Sequence, residues 1–91
     1  MRILEASEIE SDLLAFLRRE VFAPEVDLTP ETNLVAAGFD SMSLVRMLLF
    51  VENNYGLWVP EHEITNDALL NLRALAGTLR RLMVAAKPQK S

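Results

Sequence analysis

The sequence predicts an all-α fold, a small four-helix bundle with three main helices and one short helix. Three segments place apolar residues at three- and four-residue steps, the spacing that puts side chains on one face of a helix. Capping residues and glycine or proline breaks separate these segments, and no segment shows convincing strand character. The chain has 91 residues, 51% of them hydrophobic, which suffices for one compact domain.

The first helix is predicted over about 7–22, where Ser7 and Glu10 fit the capping-box pattern. Its apolar positions recur at helical spacing and are Ile9, Leu13, Phe16, Leu17 and Val21. Pro24 interrupts this pattern and opens a long connection over 24–39. In that connection we expect two leucines, Leu28 and Leu34, to attach the chain to the core.

The central helix is predicted over about 41–55. Its expected inward stripe, at three- and four-residue steps, is Leu44, Leu48, Val51 and Tyr55. Asp40 is a favourable N-cap residue, and Gly56 is available for a left-handed C-cap.

A short third helix is expected near 61–68, and Asn71 can cap the last helix. The apolar positions of that last helix are Leu72, Leu75, Leu79 and Leu82. We therefore expect one domain over 1–86, followed by a flexible C-terminal tail at 87–91.

Ser41 is the residue with the clearest chemical potential. Gly38 allows a sharp turn before it, and the Asp40 carboxylate suits the positive end of a helix dipole. Ser41 then lies in the first helical turn, among backbone N–H groups that lack helical partners. Such a position favours a phosphate group on the serine oxygen.

The segment Gly38-Phe39-Asp40-Ser41-Met42 resembles the attachment site of acyl and peptidyl carrier proteins. The order and spacing of helices over about 7–85 are also similar to the four-helix bundle of that family. Val59-Pro60-Glu61 and the Asn71-Leu72 entry to the last helix add to the resemblance.

This resemblance implies that Ser41 receives 4′-phosphopantetheine from coenzyme A. A separate phosphopantetheinyl transferase would use the Ser41 hydroxyl as the nucleophile and would contact Asp40. The terminal thiol of the arm would then carry acyl, aryl or aminoacyl groups as thioesters. The chain itself would be no enzyme, and its other partners would be acyl- or aminoacyl-activating and condensing enzymes.

The cargo stays open between fatty, aryl, aminoacyl and polyketide groups. Arg46 departs from the acidic pattern of fatty-acid carriers, and Glu52 is the one acidic residue within 41–55. The stretch around Ser41 looks closer to aryl or peptidyl carriers of nonribosomal peptide systems. A specialised stand-alone carrier of a secondary pathway is equally compatible.

A partner-binding surface is predicted beside Ser41. Its members are Phe39, Met42, Val45, Arg46 and Leu49. Exposed apolar side chains on a small domain favour docking, although the 24–39 connection could instead cover them. Arg46 could pair with Asp40 or Asn53 on the surface. Trp58 is expected in the core, with an acyl-accepting cleft as the alternative position.

Composition excludes several classes of site. The chain has no cysteine and a single histidine, His62, which disfavours a metal centre and a histidine-dependent catalytic pair. All 13 acidic residues lie within 1–67, and this charge disfavours nucleic acid. No apolar run is long enough for a membrane span, and no signal-peptide core follows the first residues. We expect a cytoplasmic monomer.

A rival hypothesis from another class is an unmodified helical protein–protein interaction module. It would bind a partner helix through the apolar surface that includes Met42 and Leu49, without a prosthetic group. It does not account for the Asp40-Ser41 pair at a helix entry after a long connection.

Overall fold

A computed structural model describes residues 4–86 of the chain. Its α-helices are α1 (Ala6–Glu20), α2 (Leu34–Ala37), α3 (Ser41–Tyr55) and α4 (Leu72–Ala86). A short 3-10 turn, Glu61–Glu63, lies between α3 and α4. No strand occurs in the described residues, so the all-α prediction is confirmed. The predicted tail at 87–91 lies outside them. None of the helices in 4–86 has the length and apolarity needed to cross a membrane.

The N-terminus of α1 differs from the predicted one by about half a turn. The helix begins at Ala6, and Glu5, not Ser7, is its N-cap residue. The Glu8 carboxylate accepts a hydrogen bond from the Glu5 backbone N–H at 3.0 Å. The capping box is therefore formed by two glutamates, and the Ser7–Glu10 prediction is wrong. A capping box needs a side-chain acceptor at each of two positions three residues apart. Two overlapping pairs in this chain have that spacing, Glu5 with Glu8 and Ser7 with Glu10.

The connection between α1 and α3 contains a helical turn that the sequence did not predict. Helix α2 spans Leu34–Ala37; the Asn33 side chain accepts a backbone N–H from its first turn, and Gly38 follows it. Leu28 and Leu34 are both buried, as predicted, so the connection is packed against the core at two points. This packing sets the path of the chain into α3.

Helix α3 has the predicted bounds, but a different face points inward. Its buried residues are Ser43, Met47 and Val51. Leu44, Leu48 and Tyr55, which were expected inside, are half-buried at the edge of the core. Apolar residues cover more than half of this helix, so periodicity alone does not select between two adjacent stripes.

Helix α4 begins after Asn71, whose side chain accepts the Ala74 backbone N–H at 2.8 Å, and the predicted cap is confirmed. Its fully buried positions include Leu72, Leu75, Leu79 and Met83. Leu82 was expected in this stripe and is only half-buried. The short third helix is reduced to the 3-10 turn, and a non-helical turn occupies 66–69.

Helix α4 packs against α1 and is linked to acidic residues of other elements. The Arg73 guanidinium lies 4.0 Å from the Glu10 carboxylate and also pairs with Glu31. The Arg81 guanidinium lies 3.6 Å from the Glu63 carboxylate. Both arginines are thus exposed and form ion pairs within the described part of the chain.

Candidate functional site

The turn before α3 is built by a glycine and an aromatic residue. Gly38 has a φ of 118°, in the region that disfavours residues with a Cβ atom. The next residue, Phe39, donates its backbone N–H to the Leu34 carbonyl at 2.9 Å. The Phe39 side chain is 5% exposed and lies in the core. Phe39 therefore anchors the turn, and its predicted partner-binding role is wrong, because no partner can reach a buried ring.

Asp40 caps α3, as the sequence predicted. One carboxylate oxygen, Oδ1, accepts hydrogen bonds from the Ser43 backbone N–H and the Ser43 hydroxyl, each at 2.9 Å. Both bonds hold the pKa of Asp40 below its usual value, and the bond from the Ser43 backbone N–H has the larger effect. The carboxylate is thus an ionised group at the positive end of the helix dipole.

Ser41 is the first residue of α3 and is exposed. Within residues 4–86, its hydroxyl forms no hydrogen bond, so neither oxygen nor proton is committed to the fold. No base within the described residues is hydrogen-bonded to this oxygen, which fits a reaction that is run by an external catalyst. An exposed hydroxyl at a helix N-terminus fits a covalently linked phosphate, because the helix dipole favours negative charge there.

Beyond Ser41, the outer face of α3 is apolar and open to solvent. Met42 is 63% exposed, Val45 49% and Leu49 54%. The 24–39 connection does not cover these side chains, which was the alternative to docking. A strip of exposed apolar residues therefore runs from Ser41 along α3.

Trp58 extends this strip and is 72% exposed, so the expectation that it lies in the core is wrong. It contributes to a groove of about 230 Å³, together with Val45, Leu48, Leu49, Glu52, Val59 and Glu61. Its neighbours Leu57 and Val59 are buried at 2% and 6%. Side chains that alternate between buried and exposed are typical of an extended segment. This two-residue period was the sequence signal that could have predicted an exposed Trp58.

Arg46 is also exposed, and within residues 4–86 it forms no ion pair or hydrogen bond with Asp40 or Asn53, the surface partners considered from the sequence. Its guanidinium donates a hydrogen bond to the backbone carbonyl of Glu20 at 2.9 Å. Glu20 is the last residue of α1, whose terminal carbonyls lack helical partners and favour cations. Arg46 therefore joins α3 to the C-terminus of α1.

Other charged or polar surfaces lie apart from Ser41. His62 is exposed beside Glu63 in the 3-10 turn. A cleft of about 460 Å³ between α1 and α3 contains Asp12 and Tyr55. The Tyr55 hydroxyl donates to the Asp12 carboxylate at 2.8 Å, and burial raises the pKa of Tyr55. This pair joins two helices, and the cleft does not include the candidate site.

Comparison with known families shows which family the chain belongs to. Residues 11–79, most of the chain, match the family described as phosphopantetheine attachment site. The chain belongs to this family. Its members carry a covalent 4′-phosphopantetheine group and are not catalytic. The exposed, uncommitted Ser41 hydroxyl fits that group.

Two curated proteins of Bradyrhizobium diazoefficiens are similar to this chain. It is 36% identical to aminoacyl carrier protein 2 over 53 residues, which cover 58% of the chain and 60% of that protein. It is 32% identical to aminoacyl carrier protein 1 over 62 residues, which cover 68% of the chain and 66% of that protein. The matched region thus spans somewhat less than two thirds of each relative.

Proposed function

We propose that this chain is a carrier protein that is modified on Ser41 with 4′-phosphopantetheine. The observation that carries the proposal is the exposed Ser41 hydroxyl, which no described residue uses and which opens a helix capped by Asp40. Membership of the phosphopantetheine-attachment family supports it. When bound, the arm supplies a thiol that holds cargo as a thioester.

The protein's own part in the attachment is to present an oxygen. A phosphodiester forms between Ser41 Oγ and the phosphopantetheinyl phosphate of coenzyme A. The P–O–P bond of the coenzyme A pyrophosphate breaks, and the adenosine bisphosphate half leaves with the electron pair of that bond. The serine proton leaves to a base of the phosphopantetheinyl transferase. The helix dipole of α3 stabilises the phosphodiester charge beside Asp40.

The relatives favour an aminoacyl cargo, because both are named aminoacyl carrier proteins. We propose aminoacyl groups as the first cargo to test, before aryl, fatty and polyketide groups. The partners would be the transferase, an aminoacyl-activating enzyme and an enzyme that accepts or condenses the aminoacyl group. We further propose that the carrier domain acts as a monomer in the cytoplasm.

The outer strip of α3 is the proposed docking surface for these enzymes. Met42, Val45 and Leu49 are exposed along α3, and Trp58 lies next to the last two in the shared groove. Burying such side chains against a partner removes apolar area from water. Arg46 lies at the edge of this surface, where its bond to Glu20 limits it to a supporting role.

The decisive experiment is labelling with coenzyme A and a broad-specificity phosphopantetheinyl transferase. Intact mass should increase by one phosphopantetheinyl group in the wild type and in Ser11→Ala, an exposed serine of α1. Ser41→Ala should show no increase. Equal labelling of Ser41→Ala would place the attachment elsewhere and overturn the assignment.

The exposed apolar strip also fits the rival hypothesis, an unmodified interaction module. That function would be favoured if the wild type resisted labelling by every competent transferase and still bound a partner protein tightly. Loading of the labelled form with an amino acid by an activating enzyme would exclude it.

A further inference from the structure

Ser43 is a buried serine on the inner face of α3. It is 7% exposed and is the one buried polar or charged residue in 4–86. It occupies the same face as Met47 and Val51, which are fully buried. A buried hydroxyl needs a hydrogen-bond partner, and here the partner is the Asp40 carboxylate.

This second bond is more than an N-cap requires. The cap itself is made by the Ser43 backbone N–H, which any residue other than proline would supply at this position. The Ser43 hydroxyl adds a charge-assisted hydrogen bond to the same oxygen, Oδ1. Two donors on one residue therefore restrict the rotation of the Asp40 side chain. No hydrogen bond from residues 4–86 ends on Oδ2, so this oxygen can accept one from another partner.

The restricted carboxylate belongs to the residue directly before Ser41. Asp40 is exposed, whereas Ser43 is buried, so an enzyme that approaches Ser41 meets the carboxylate and not the residue that orients it. The low pKa of Asp40 keeps this group ionised near neutral pH.

We propose that Ser43 is a positioning residue for the modification of Ser41. It fixes Oδ1 of Asp40, so that Oδ2 is presented beside the Ser41 hydroxyl to a hydrogen-bond donor or cation of the phosphopantetheinyl transferase. This inference rests on the proposed function. It assigns Ser43 a role that depends on Asp40 and involves no contact with the transferase.

Transferase kinetics at varied carrier concentration test the proposal. Ser43→Ala keeps the backbone cap but removes the hydroxyl, and we expect its KM as a carrier substrate to rise about three- to tenfold, the usual effect of one hydrogen bond. Ser43→Thr keeps the hydroxyl and should recover most of the loss. The matched control, Ser11→Ala, should behave as the wild type. Circular dichroism should show equal helix content in all variants.

A double-mutant cycle separates positioning from a general structural effect. In an Asp40→Ala background, Ser43→Ala should cause no further change in KM. The pKa of Asp40, followed by NMR of its carboxyl carbon, should rise in Ser43→Ala. Wild-type kinetics for Ser43→Ala, or an undiminished effect in the Asp40→Ala background, would overturn the inference while leaving the carrier function intact. Failure of the wild type itself to be labelled would instead overturn the proposed function, and this inference with it.

Discussion

The two faces of α3 carry the same residue types in opposite environments. On the outer face Ser41 is exposed and Met42 is 63% exposed; on the inner face Ser43 is 7% exposed and Met47 is fully buried. The outer serine has a hydroxyl that the described residues leave unused, and the inner serine donates its hydroxyl to Asp40. Position on the helix, not residue type, separates the exposed serine, which is the proposed attachment site, from the buried serine.

The contrast between the two faces also gives a physical reason to expect that stability depends on the inner face and partner binding on the outer face. The inner face holds the bundle together and orients the cap. The outer face contributes little to folding, so its apolar residues are available to partners. Substitutions on the two faces should therefore affect different measurements.

The largest effect on stability is expected from the inner methionine. Met47→Ala leaves a cavity in the core, and we expect the free energy of unfolding to fall by about 2–5 kcal/mol. Met42→Ala, the matched change on the outer face, should alter it by less than about 0.5 kcal/mol. Urea denaturation of both variants measures the difference. Similar losses for the two methionines would remove the distinction between the faces.

A smaller effect, on binding alone, is expected at the outer face. Trp58→Ala and Leu49→Ala should each weaken the complex with the enzyme that loads the carrier by about tenfold, because each removes an exposed apolar contact. Val84→Ala is the control, since Val84 is similarly exposed but lies on α4. Titration calorimetry with the holo carrier measures the affinity. Unchanged affinity for the Trp58 and Leu49 variants would exclude this strip as the docking surface.

Arg46 should behave as an exposed residue with a structural role. Arg46→Met removes its hydrogen bond to the Glu20 carbonyl, and the free energy of unfolding should decrease by about 0.5–1.5 kcal/mol. Arg19→Met is the control on α1, because the one ion pair of Arg19 within residues 4–86 is with its exposed neighbour Glu20. Equal stability of the two variants in thermal denaturation would mean that the hydrogen bond of Arg46 to the Glu20 carbonyl does not stabilise the fold.

The smallest effect is the pH dependence that arises from Asp40. Its pKa in the folded protein lies below the usual 3.8, so its contribution to stability is complete above that value. The contribution is lost as the pH falls through the lower, folded pKa. Asp40→Asn keeps an N-cap residue without a charge, and the stability difference between wild type and variant should therefore shrink between about pH 5 and pH 2. A constant difference over this range would contradict ionised capping by Asp40.

Much of the fold followed from local signals. The bounds of α3 and the caps at Asp40 and Asn71 were predicted correctly, because each depends on residues within one or two turns. The short α2 was missed, since four residues are too few to show a period. The Glu5–Glu8 box was missed because two overlapping patterns compete within the first turn of α1.

The candidate site was predicted only in part. Ser41 and Asp40 lie where the motif placed them, and Met42, Val45 and Leu49 are exposed as docking requires. The burial of Phe39 depends on how the bundle packs, and the hydrogen bond of Arg46 is made to Glu20, which is distant in sequence. Neither feature can be predicted from neighbouring residues. The contribution of Ser43 to the cap is local, but the burial of Ser43 was missed because it depends on which face of α3 enters the core.

By itself, the sequence determined that the chain is helical, where α3 and α4 begin, and that one serine lies at a helix entry after a glycine turn. These features depend on backbone conformations and caps, which are set by neighbouring residues. The tertiary structure alone decided which stripe of α3 enters the core, that Trp58 faces outward, and that Ser43 is buried against the Asp40 cap. The rotation of a helix about its axis is set by the helices packed against it, and a single helical period does not contain that information.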